Sequence, residues 1–60
     1  MEIIDYKKRN SAETTGAIII NVYGGSTEYI AVTVSTSKTY KSLKKAEAMM
    51  DFFDYIKVNN

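Results

Sequence analysis

The sequence predicts an α+β fold, a three-stranded antiparallel meander with one C-terminal helix packed on one sheet face, in the order β-β-β-α. Three observations lead there. Alternating apolar residues flank Gly24-Gly25-Ser26 on both sides, which is the pattern of two strands joined by a turn. A shorter alternation precedes them near the N-terminus, and after a serine- and threonine-rich stretch apolar residues recur at helical spacing as far as Ile56. The chain has 60 residues, so residues 1–60 are read as a single domain, close to the lower size at which a core holds without a staple.

The first strand is expected over residues 2–8, where Ile4 and Tyr6 alternate with Ile3 and Asp5. It reads as an edge strand. Its charged flank, Lys7-Lys8-Arg9, would then keep other chains from pairing with that edge.

In the second strand Ile18, Ile20 and Val22 alternate with Ala17, Ile19, Asn21 and Tyr23; in the third, Ile30, Val32 and Val34 alternate with Tyr29, Ala31, Thr33 and Ser35. Side chains in a strand have period two, so the loop length decides which sets share a face. A loop of residues 24–26 pairs Tyr23 with Thr27, Ile20 with Ile30 and Ile18 with Val32, which puts the aliphatic sets together. A Gly24-Gly25 loop instead sets Ile20 against Tyr29 and mixes the faces, so the longer hairpin is favoured, with a glycine supplying positive φ.

The helix is expected over residues 42–56, with Ser42 as its N-cap. Leu43, Ala46, Met49, Met50, Phe53 and Ile56 fall on one side with Phe52 at the margin, and Tyr55 falls towards the boundary. The tail from Lys57 to Asn60 reads as frayed. The helix charges run against its dipole. Lys44 and Lys45 occupy the first turn and Asp51 and Asp54 the later ones, each misplacement costing about 0.3–1 kcal/mol. Glu47 and Asp51 at i,i+4 add a like-charge penalty of about 0.2–0.5 kcal/mol. Uncompensated breaks of a local rule of this kind point to a binding surface.

Composition narrows the chemistry. There is no cysteine and no histidine, which removes thiol nucleophiles, imidazole bases, disulfides and thiolate zinc sites; neither enzymatic activity, a metal nor a cofactor is expected. The longest apolar run, residues 17–20, is too short for a bilayer, and Glu2 and Asp5 stand where a basic leader would begin. No membrane partner is expected, and a cytoplasmic location is. A formal net charge of +1 gives no overall electrostatic attraction to nucleic acid, so any such contact must come from a local patch.

Three candidate surfaces follow. The sheet face turned away from the helix is expected to carry Asn21, Tyr23, Tyr29 and Thr33, a partner-binding set in which tyrosines combine an apolar body with a hydrogen-bonding tip. Glu47, Asp51 and Asp54 form an acidic strip on the outer helix face, suited to a basic partner or simply solvated. Lys38, Lys41, Lys44 and Lys45 gather at the helix start, where lysines and free N–H groups together can hold a phosphate backbone or merely aid solubility. Gly24-Gly25-Ser26 leads from strand to strand with no P-loop lysine after it, and reads as a hairpin.

The segment Lys38-Thr39-Tyr40-Lys41-Ser42-Leu43-Lys44-Lys45-Ala46-Glu47-Ala48 resembles the strand-to-helix junction of the three-stranded DNA-binding domains of phage-type integrases and AP2-like factors. That resemblance implies a β-β-β-α fold and DNA read by basic and aromatic residues on the sheet face away from the helix. The matching face offers Asn21, Tyr23, Tyr29 and Thr33 and no basic side chain. In size and style the chain also resembles accessory proteins of phages and mobile elements, including inhibitors of host defence complexes. The sequence therefore leads to a non-enzymatic binding module, a regulator or inhibitor with a protein partner. Its alternative is a nucleic-acid-binding domain using the sheet face and the four lysines, and a homodimer through the sheet face is the third reading.

Overall fold

A computed structural model describes residues 1–58 and places one helix against one face of an antiparallel sheet, as expected, but the sheet has five strands among the described residues instead of three. The elements are β1 (Glu2–Lys8), β2 (Thr14–Tyr23), β3 (Ser26–Val32), β4 (Ser37–Tyr40), α1 (Leu43–Phe52) and β5 (Tyr55–Lys57), and the strand order is β4-β3-β2-β1-β5. The two additional strands are the outer ones. β1 therefore lies inside the sheet, paired with both β2 and β5, and its basic flank does not guard an edge.

The hairpin between β2 and β3 has the two-residue Gly24-Gly25 loop, with Tyr23 opposite Ser26, Ile20 opposite Tyr29 and Ile18 opposite Ala31. Both glycines have positive φ, +56° and +78°, so the loop adopts the tight turn whose twist matches the strands. That overturns the three-residue loop. The expected grouping of aliphatic side chains fails with it: Ile18 and Ile20 face the helix, whereas Ile30 and Val32 face away, and Val22 and Val34 are exposed.

A mixed core takes the place of one with an all-aliphatic sheet side. Tyr6, Ile18, Ala31, Ala46, Met49, Met50 and Tyr55 are buried, with Ile4, Ile20, Tyr29, Tyr40 and Leu43 packed around them. Ala31 and Ala46 are both fully buried, which lets the helix come close to β3. Ile18 and Met50 are the largest fully buried side chains, and truncating either to alanine would cost about 2–5 kcal/mol. Between Tyr6 and Lys7 the β1–β2 register shifts, Tyr6 pairing with Gly16 and Lys7 with Thr14, so Thr15 is the extra residue of a bulge. Gly16 lies directly beneath the Tyr55 ring and has no room for a Cβ.

Ser42 caps the helix as expected. Its hydroxyl accepts from the Lys45 backbone N–H at 3.4 Å, and its carbonyl accepts from Ala46 N–H at 3.2 Å. The helix ends at Phe52, a turn earlier than its apolar periodicity suggests. Phe53 closes it and Asp54 adopts a φ of +65°, the left-handed conformation that reverses the chain. The next residues then pair with β1: Lys8 lies opposite Tyr55, Lys7 opposite Ile56 and Tyr6 opposite Lys57. Tyr55 is accordingly buried, not at the boundary. Lys57 belongs to β5 and Val58 N–H donates to Asp5 O at 2.9 Å, so that part of the tail is paired; Asn59 and Asn60 lie outside the described residues.

Candidate functional site

The register sorts every candidate residue. On the sheet face away from the helix, Ile3, Ile19, Ile30 and Thr39 form one row across β1, β2, β3 and β4, and Asp5, Ala17, Val32 and Ser37 form the next. Asn21 and Tyr23 continue this face at the hairpin end. The Tyr23 hydroxyl donates to Glu28 Oε1 at 2.9 Å, and Lys41 Nζ stands 4.0 Å from Glu28 Oε2. The hydrogen bond to Glu28, reinforced by its charge, raises the Tyr23 phenol above its usual value. Tyr29 and Thr33 do not join Asn21 and Tyr23. Tyr29 faces the helix beside the core, because the two-residue hairpin reverses its side relative to the expected register. Thr33 is buried in the turn before β4, where its hydroxyl accepts from Thr36 N–H at 3.2 Å and from Ser35 N–H at 3.4 Å.

The acidic strip meets basic residues from other elements. Arg9, in the β1–β2 loop, donates from Nε to Asp54 Oδ1 at 2.8 Å and holds Asp51 at 3.9 Å, and its backbone N–H donates to Asp54 O at 3.0 Å. The hydrogen bond to Asp54, and then that carboxylate's charge, raises the Arg9 guanidinium further above its ordinary value. Lys57 of β5 lies 3.4 Å from Glu47. Lys8 donates to the Phe53 carbonyl at 3.0 Å, satisfying one of the free carbonyls at the negative end of the helix dipole. Its ammonium also sits 5.2 Å from the centre of the Tyr55 ring.

The four lysines at the helix start are dispersed. Lys41 lies beside Glu28 on the open face, while Lys38 and Lys45 line a groove of about 540 Å³ between β4 and α1. Tyr40, Met49, Phe52 and Phe53 supply its apolar walls, and no acidic residue lines it. The Phe52 side chain is 82% exposed and meets Phe53 edge-on, ring centres 5.1 Å apart. Among the described residues Lys38, Lys44 and Lys45 have no carboxylate within ion-pair distance.

Asn21 and Tyr23 lie on the expected sheet face, but the four lysines do not form one patch, Ile30 lies on the open face instead of the helix face, and Ile3, Tyr40 and Phe52 belong to none of the expected surfaces. The fully polar make-up of residues 35–39 hid β4, and without β4 there is no groove. Among the described residues no cluster of three or more carboxylates is placed to hold a metal ion, and no helix is long and apolar enough to cross a membrane. Comparison with known protein families, with curated proteins and with solved structures finds no match to this chain. The junction of residues 38–48 does form a strand, a serine cap and a helix, but it closes a sheet of different order and strand number from a three-stranded meander.

Proposed function

We propose that the chain is a non-enzymatic binding module that engages a protein partner through its uncovered sheet face, as a regulator or inhibitor acting by occupation of the partner's surface. The observation that carries this reading is the row Ile3, Ile19 and Ile30, contiguous across three adjacent strands on the face the helix leaves bare. Ile3 is 56% exposed and Tyr23 55%, so the row and the hairpin end offer apolar area next to hydrogen-bonding groups. An interface core needs that combination, and an ordinary solvated face has charges there instead. The acidic strip supports the same choice of face, since its carboxylates already have basic neighbours within the fold.

Affinity capture from lysate with nuclease present, read by mass spectrometry, tests the proposal when wild type is compared with the Ile3→Thr/Ile19→Thr double variant. Threonine keeps the strand preference while removing the apolar row. A protein retained by wild type and lost by the folded variant is expected; equal retention sinks the sheet-face reading. Sedimentation at high concentration reports whether that protein is a second copy of the chain. A nucleic-acid reading draws support from Lys38, Lys44 and Lys45, which stand without carboxylate partners among the described residues. It demands binding that weakens steeply between about 50 and 200 mM salt.

A further inference from the structure

We propose that the groove between β4 and α1 takes an extended peptide carrying an aromatic residue between two carboxylates, added to the sheet as a strand along the outer edge of β4. The site is separate from the open sheet face. Three observations converge on it.

β4 ends the sheet on this side, so the backbone groups on its outer edge have no strand partner among the described residues. A strand added there would be hydrogen-bonded through its main chain, the usual source of affinity when a peptide extends a sheet. Lys38 and Tyr40 point to the helix side of β4, opposite Ala31 and Tyr29, so alternate side chains of an added strand would point into the groove itself. The groove then supplies what those side chains need. Phe52, Phe53, Met49 and Tyr40 wall a space large enough for an aromatic ring, and Lys38 and Lys45 stand on its rim with no acidic neighbour lining it. Cationic rim and apolar floor together define the occupant by complementarity: one ring, with a carboxylate two residues away on each side. Lysine on a short edge strand discourages indiscriminate pairing by repulsion, which leaves an acidic strand as the partner the edge accepts.

Folding gives no reason for Lys45 to be a cation. It sits in the first turn of α1, where the helix dipole disfavours positive charge. A carboxylate bound beside it reverses that conflict.

The probe is the acetylated and amidated peptide Asp-Thr-Phe-Thr-Glu, titrated into isotope-labelled full-length protein and followed by backbone amide shifts. Saturable shifts confined to β4 and the groove side of α1 are expected. Replacing both acidic residues of the peptide by lysine, or introducing Lys38→Glu/Lys45→Glu in the protein, should weaken binding by about tenfold or more. Because Lys45→Glu favours the helix, a melting temperature that does not fall shows that lost binding is not lost folding. Methylating one alternate set of peptide amides should abolish binding and methylating the other should not, since only one set faces β4. Equal binding of the basic peptide, tolerance of both methylated forms, or an absence of shifts at β4 at millimolar peptide overturns the proposal. So does a single-stranded oligothymidine that moves the same amides when the peptide moves none.

Discussion

The two ends of α1 break the same rule and are treated differently by the rest of the molecule. At the C-terminal end, Asp51 and Asp54 add negative charge where the helix carbonyls already supply it, yet Arg9 reaches both carboxylates and Lys8 meets the Phe53 carbonyl. Those two basic residues are adjacent in sequence, at the end of β1, and arrive there because β5 pairs with β1 immediately after the helix. At the N-terminal end, Lys44 and Lys45 oppose the dipole and no carboxylate among the described residues answers them. Charge against a dipole is thus resolved by tertiary contact at one end and left open at the other. From the open end a groove runs along the helix, from Lys45 to Phe52 and Phe53.

Breaking the resolved end should have the largest effect. A Cβ at Gly16 would lie 2.8 Å from Tyr55 Cε2 and 3.0 Å from Met50 Cε, both inside the normal contact distance. Gly16→Ala must push Tyr55 off β2 and with it the β5 pairing that brings Lys8 and Arg9 to the helix. A loss of about 1–3 kcal/mol in urea unfolding is expected. A change below about 0.5 kcal/mol would mean that the Tyr55 ring is not seated on this glycine.

The asymmetry itself is tested by reversing one charge at each end. Lys45→Glu should stabilise by about 0.3–1 kcal/mol, because it corrects the dipole and breaks no ion pair. Asp51→Lys corrects the dipole and turns the Glu47–Asp51 repulsion into an attraction, but gives up the Arg9 contact and sets a second cation beside that guanidinium, so a smaller gain than at Lys45 is expected. Equal stabilisation by both variants would show that the Arg9 contact contributes nothing.

The smallest effect concerns pH. Burial, and secondarily the charge of Glu47, raises the Tyr6 phenol above its usual value. A folded-state value above the unfolded one leaves its contribution intact below about pH 10 and removes it as pH rises through the folded value. Tyr6→Phe should therefore match wild type near neutrality and lose less stability than wild type in alkaline unfolding. Parallel curves for the two proteins would remove Tyr6 from that account.

Some of this architecture is legible in the residues. Ser42 as the cap, Leu43, Ala46, Met49 and Met50 as the buried helix side, and two strands around the glycines all stand in the structure. Hairpin register is not, because gathering the aliphatic side chains on one face selects the longer loop, whereas this core joins Ile18 to tyrosines, methionines and two alanines. Residues 53–56 continue the helical apolar spacing, so nothing local marks the stop; the reversal at Asp54 is held by Arg9, forty-five positions away in sequence. Of the candidate surfaces, the acidic strip and the helix-start lysines look equivalent as sequence. Only Arg9, Lys57 and Lys8 arriving from elsewhere tell them apart.

By itself, then, the sequence determined the α+β class, the start and cap of the helix, and two strands around the glycines, since these depend on spacing within one segment. Tertiary structure decided the sheet's order, which face each of Tyr29, Thr33 and Ile30 occupies, and which charges stay unanswered. The physical reason is range. Period and capping act over a few residues, whereas register, strand addition by β4 and β5, and the pairing of Arg9 with Asp54 are fixed only when distant segments meet.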